Sequence, residues 1–194
     1  MPMSNKHSRP LAIIIILALA LAVGILTDFL WTAVEKAVYP QKYAELVSKY
    51  AAEYNVPEDV VYATIKVESS FDPEAISHAD ARGLMQMLPS TFEWLTGDEH
   101  LGEHLDVDQL LVPEISIRYG VYYLKYLYSK FDYKWDVACA AYNGGEGNVS
   151  EWLADSRYSD GEGNLTAYPK SFKETKNYVK KIDQAREMYR KLYY

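Results

Sequence analysis

The chain has 194 residues, 49% hydrophobic and 24% charged, the composition of a single globular domain rather than of a disordered one. Beyond residue 30 there are 18 Lys and Arg against 26 Asp and Glu, which argues against nucleic acid as a partner and leaves no polybasic signal. The single Cys139 excludes an intrachain disulfide.

Leu11 to Leu26 is an unbroken apolar run of 16 residues, extended after Thr27 and Asp28 by Phe29-Leu30-Trp31. Lys6 and Arg9 precede it, and a basic flank before an apolar stretch predicts a cytoplasmic N-terminus with the body exported. With the segment to Trp31 the length reaches the ~20 residues that cross a bilayer. The expected organisation is therefore a cytoplasmic N-terminus at 1–10, a transmembrane anchor at 11–31, a connector at 32–40 and one domain at 41–194. A cleaved signal peptide with secretion of the domain is the alternative. Ala18-Leu19-Ala20 and Ala20-Leu21-Ala22 have the small-residue spacing, but inside the apolar run rather than after it.

Next comes a helix over 41–54, with Tyr43, Leu46, Val47, Tyr50 and Tyr54 at helical spacing and Asn55 stopping it. Pro57 opens a helix that runs to Ser69. Asp72 to Arg82 reads as a polar loop, and a short helix begins at Pro89 and runs through Trp94. His100 to Val112 reads as acidic loop with one helical turn. Pro113 opens a long helix through Lys130. Trp135–Tyr142, 147–154 and 174–194 complete the helices, with a polar, Gly-containing loop at 155–171 that is a candidate mobile segment. No segment alternates with period two, so the domain is expected to be all-α, without repeats. Cys139 sits in Val137-Ala138-Cys139-Ala140-Ala141, where a packed core thiol is the expected role.

Glu68 carries the chemistry. Val61, Ile65 and Glu68 are spaced i, i+4, i+7, which places a carboxyl on the apolar face near a helix C-terminus. Burial and the negative end of the helix dipole both disfavour its charge, which raises its pKa toward the range of a general acid. Position alone also fits a solvated glutamate in a frayed last turn, and the motifs downstream of it decide. After Glu68-Ser69 come Gly83-Leu84-Met85-Gln86, then Ala141-Tyr142-Asn143-Gly144-Gly145, then Glu174-Thr175-x-x-Tyr178-Val179. In this order and spacing the four pieces resemble the soluble lytic transglycosylase catalytic domain, over about residues 40 to 190.

The resemblance implies a goose-type-lysozyme-like α-helical domain behind the anchor. It implies Glu68 as the single catalytic acid/base. Gln86 is implied to reach the sugar and Tyr142 to line the cleft beside the acid, with Ser77 matching a serine before the Gly-Leu-Met-Gln segment. Glu174 and Tyr178 are implied to close the site. Asp80 and Leu88 depart from the family's common Gly and Met. From the residues themselves, Met85 and Met87 offer a soft apolar wall, continued by Leu88, and Gln86 offers both donor and acceptor to hydroxyls and an N-acetyl group. Gly144 and Gly145 let chain and ligand approach closely after Asn143. Substrate-binding residues are thus expected at Ser77, Met85, Gln86, Leu88, Tyr142, Asn143, Glu174 and Tyr178.

Ordinary glycosidases use two carboxylates, and the matched motifs supply one; Asp72, Glu74 and Asp80 read as solvated loop residues. The activity implied is lytic cleavage of the bond from N-acetylmuramic acid to N-acetylglucosamine in peptidoglycan, closing a 1,6-anhydro ring. No cofactor and no metal are expected. A muramidase on the same fold, or a glycan-binding component of a cell-envelope machine, are the alternatives. The expected location is the bacterial cell membrane, with the domain outside the cytoplasm. His100-x-x-Glu103-His104 spells an inverted zincin pattern, but Gly102 and the acidic surroundings fit loop better than a ligand helix.

Overall fold

The structure, a computed structural model, describes residues 8–194. It divides into Met1–Pro40 and Gln41–Tyr194. Lys6 and most of the N-terminal segment expected at 1–10 lie outside the described residues.

In the first unit, helix α1 runs Ser8–Val38, and its stretch Leu11–Val38 is long and apolar enough to cross a membrane. At 1.5 Å per residue, 31 residues reach about 46 Å, longer than a ~30 Å hydrocarbon core. The segment expected as a connector at 32–40 is therefore mostly the same helix. Trp31 Nε1 donates to Glu35 Oε1 at 2.9 Å along its surface.

The second unit is helical throughout, with α2 (Ala44–Tyr54), α3 (Glu58–Glu68), α4 (Pro89–Thr96), α5 (Pro113–Lys130), α6 (Trp135–Gly144), α7 (Glu146–Ala154) and α8 (Lys173–Tyr193). Short 3-10 turns cover Val107–Leu111 and Lys170–Phe172. Among the described residues there is no strand, only isolated bridges such as Ile76 with Arg82 and Arg82 with Met87. The helix limits have local causes. Asn55 closes α2 in the left-handed conformation, φ 53°, which its short side chain tolerates. Pro57 caps α3 from extended backbone rather than entering it, while Glu58 and Asp59 meet the positive end of its dipole. Pro89 and Pro113 occupy the first turns of α4 and α5, where a missing N–H costs nothing.

The core is built around α3. Its Val60, Val61, Ala63, Thr64 and Ile65 are fully buried, and it lies along α8. Helix α6, with Val137, Ala138, Ala140 and Ala141 buried, packs on both α5 and α8. Cys139 is in this core, and burial pushes its thiol up to about 12, so it is no nucleophile.

One ion pair fixes the α3–α8 contact. Asp59 Oδ2 takes Arg190 Nε at 2.7 Å and Arg186 Nε at 3.1 Å, with Asp59 and Arg186 side chains only 10% and 13% exposed. Removing one partner of such a pair strands the other charge. Asp59→Ala is expected to lower stability by about 2–3 kcal/mol, read as a shift of the urea midpoint; a change under about 0.5 kcal/mol, the scale of an exposed pair, would refute this role.

Candidate active site

The site is assembled where α3 ends. Ser69 donates its N–H to Ile65 O at 3.1 Å, ending the helix. Its hydroxyl donates to Leu84 O at 2.8 Å, with Ile65 O as the local alternative at 3.2 Å. The residue after Glu68 thus ties the helix end to the Gly83–Gln86 segment. Ser70 and Phe71 turn the chain with φ of 52° and 68°, and the buried Phe71 ring anchors the turn.

The loop beyond Phe71 is held from within. Ser77 Oγ accepts from Ala81 N at 3.0 Å and Ala79 N at 3.2 Å. Asp80 has φ 62°, so the departure from the family's glycine keeps a backbone that glycine favours. Arg82 grips both Asp80 oxygens, at 2.9 and 3.1 Å, and also Asp108. Gly83 has φ 75° and faces the Leu110 carbonyl and Ser116 Oγ so closely that a Cβ would overlap them. Gln86, φ 46°, donates both Nε2 protons back into the loop, to Ala75 O at 2.9 Å and Gly83 O at 3.0 Å. Its Oε1 is left as the acceptor for a ligand.

Met85 links this loop to α6. Its carbonyl accepts from Tyr142 Oη at 2.7 Å, and its N–H donates to Ser116 Oγ at 3.2 Å. Its side chain is fully buried, in the hollow opened by Gly120 of α5. The expectation that Met85 forms part of a ligand wall is corrected: its thioether is core, and its backbone holds Tyr142. Met87 is almost as buried, but its edge reaches a small recess beside Leu88.

An open cleft of about 750 Å³ lies between the end of α3 and α8. Glu68, Ser77, Gln86 and Asn143 line one side, and Glu174 and Tyr178 the other. The recess at Met87, of about 90 Å³, shares Gln86 and Asn143 with the cleft and adds Leu88 and Tyr142. The structure therefore brings together every expected site residue except the Met85 side chain. Gly144 sits against Thr175 and Trp152, where a Cβ would come within 3.1–3.3 Å, so its small size serves α6–α8 packing. Asp72 and Glu74 are exposed and outside the cleft. His100 meets Tyr122 Oη, His104 meets Asp98, and Glu103 meets Arg118 and Tyr119; the zincin-like residues diverge onto separate partners.

Burial pushes the Glu68 carboxyl from 4.5 up to about 7. The nearby Tyr178 hydroxyl opposes the rise, and the Glu174 charge adds to it. Tyr178 Oη is itself buried close beside the carboxyl and makes no hydrogen bond of ordinary geometry among the described residues. Burial holds both Tyr178 and Tyr142 well above the usual phenol range, so they stay neutral donors. The arrangement is a protonated carboxylic acid at neutral pH, flanked by two neutral phenols, in a cleft open to a polymer. Ser69 and the α8 lysines of the cleft were not singled out from sequence. The first is visible only as an O–H near a helix end, the second as a stripe i, i+4, i+7 from Lys173.

An all-α domain of lysozyme-like build with one perturbed carboxyl in a long cleft defines a glycan-cleaving class of fold. Residues 45–166 match the family model of the transglycosylase SLT domain, and the chain belongs to that family. It is 33% identical over 155 residues to the soluble lytic murein transglycosylase of Escherichia coli K12, covering 79% of this chain and 23% of that protein. It is 29% identical over 178 residues to the membrane-bound lytic murein transglycosylase C of Histophilus somni, covering 79% of this chain and 47% of that one. The crystal structure of the 70 kDa soluble lytic transglycosylase of Escherichia coli superposes with TM-score 0.71 at 31% identity, over 80% of this chain and 25% of that one. The chain thus spans about a quarter of the length of the E. coli protein.

Proposed function

We propose that this chain is a peptidoglycan lytic transglycosylase, held at the bacterial cell membrane by α1 with its catalytic domain outside the cytoplasm. The observation that carries the reading is Glu68, a carboxyl with pKa about 7 in the cleft. The names of the soluble and membrane-bound relatives support it. Protonated Glu68 gives its proton to the oxygen between N-acetylmuramic acid and N-acetylglucosamine, and the C1–O bond breaks. The substrate's own acetamido oxygen relieves the charge at C1, a role for which the matched motifs supply no second carboxylate. Ionised Glu68 then takes the proton from the muramic O6, which bonds to C1. No water is consumed. Tyr178 and Tyr142 hold the carboxyl and the loop in place as neutral groups, and Gln86 Oε1 accepts from the sugar.

Glu174 supports a second reading. It lines the same cleft, near enough to raise the Glu68 pKa. If it activated water, the same site would hydrolyse the bond as a muramidase. Incubation of the chain with purified peptidoglycan tests the activity common to both: soluble fragments are expected, and a folded protein that binds strands and releases none would make it a glycan-binding component.

The rate should also follow Glu68. The acid form is required for the first proton transfer, so activity should fall on the alkaline side with a midpoint near 7, roughly tenfold per further pH unit. A rate unchanged up to about pH 9 would be incompatible with a carboxylic acid as the donor.

A further inference from the structure

The side of α8 that faces the cleft is cationic. Lys173, Asn177, Lys180, Lys181 and Gln184 all line it, spaced i, i+4, i+7, i+8, i+11, a stripe about 16 Å long. Lys176 stands beside them on the outer edge of the same helix. These lysines are exposed, and none makes an ion pair among the described residues. Other cations of the domain are engaged with partners: Lys49 with Glu114, Arg82 with Asp80 and Asp108, Arg118 with Glu103, Arg186 and Arg190 with Asp59. Lys176 and Lys180 are moreover a like-charge i, i+4 pair, which weakens a helix rather than supporting it. A chain with seven more acidic than basic residues therefore leaves its unpaired positive charge on the wall of the cleft that holds Glu68. Among the described residues, the only acidic side chains lining that cleft are Glu68 and Glu174.

Charge placed this way selects an anionic ligand, and it does so over a Debye length, about 8–10 Å at ordinary salt. A bare N-acetylhexosamine chain is neutral and would gain nothing from it. The strands of peptidoglycan carry carboxylates on the lactyl ethers and peptides that project from alternate sugars. We infer that Lys173, Lys180 and Lys181 form a subsite for these carboxylates, so that the domain takes substituted glycan in preference to bare glycan. The inference rests on the proposed peptidoglycan substrate, and it concerns selection, not the bond-breaking chemistry.

Binding tests it without requiring turnover. The full-length chain carrying Glu68→Gln, in detergent, is compared with the same chain carrying also Lys173→Gln, Lys180→Gln and Lys181→Gln. The ligands are peptide-bearing glycan strands, the same strands after amidase treatment, and neutral N-acetylglucosamine oligomers. The lysine-intact protein should bind peptide-bearing strands about tenfold or more tightly than neutral oligomers at low salt, with the preference shrinking as salt rises. The triple variant should lose the preference while binding neutral oligomers unchanged, and a Lys→Arg triple should keep it. Preference retained on amidase-treated strands places the lactyl carboxylate at the subsite, and preference lost on them places the peptide there. A triple variant that keeps the preference, or that loses affinity for all three ligands alike, overturns the inference. Failure of the wild-type chain to cleave any of these strands would count against the proposed activity and leave this comparison intact.

Discussion

Replacing Glu68 by Gln should reduce glycan cleavage by at least about 10³-fold while the fold is kept. A positioned acid/base contributes roughly 10²–10⁴-fold, and here one carboxyl serves both proton transfers, so the upper part of that range applies. The carboxamide keeps the shape and loses the proton. The same substitution has a signature in stability. An unfolded carboxyl ionises near its ordinary 4.5, whereas folded Glu68 holds its proton to about 7. Between these values the folded state binds more protons, so stability declines as pH rises through the window, and the full cost is present above it. Gln carries no such cost. The Glu68→Gln protein should therefore unfold at higher temperature than wild type above about pH 7, with the difference closing below about 4.5. Unimpaired turnover, or a melting difference independent of pH, would contradict the role given to this residue.

Gly83→Ala should be the most damaging change of small size. The left-handed φ of 75° is costly for Ala, about 1–2 kcal/mol. The added Cβ would overlap a backbone carbonyl, that of Leu110, with Ser116 Oγ at 2.8 Å behind it. Neither a carbonyl on a 3-10 turn nor a fully buried serine can swing away as a flexible side chain would. Overpacking of this kind adds about 1–3 kcal/mol, so a loss of roughly 3 kcal/mol is expected, or a melting temperature about 6–12 °C lower. Activity should fall further than stability requires, because Met85, which holds Tyr142, and Gln86, which faces the cleft, stand within three residues of it. A variant with unchanged melting temperature would show that the loop has room that the structure does not give it.

Much of this was readable in the chain. Pro89 and Pro113 announced α4 and α5 by fixed φ and a missing N–H. The spacing of Val61, Ile65 and Glu68 placed a carboxyl on a core-facing stripe, and the structure buries that stripe to its end. The four motif pieces pointed to one site, and Ser69 with Leu84 and Tyr142 with Met85 are the bonds that join them. What was not readable depends on distant partners. Met85 looks like a ligand-facing thioether until Gly120, on another helix, is known to open a hollow for it. Asp80 looks like a departure until Arg82 is seen holding it at positive φ. The pairing of Asp59 with Arg186 and Arg190 spans more than a hundred residues, and no local pattern signals it. Helix α1 passes through the expected connector because Glu35 and Lys36 are good helix formers as well as polar residues.

The central claim is non-hydrolytic cleavage by a single carboxyl, and the masses of the products test it most directly. Peptidoglycan digested by the full-length chain should yield muropeptides lighter by one water than the hydrolytic fragments, each ending in a 1,6-anhydro ring, and the Glu68→Gln protein should yield none. Fragments carrying the added water would contradict non-hydrolytic cleavage and give the second proton transfer to a water activated beside Glu174.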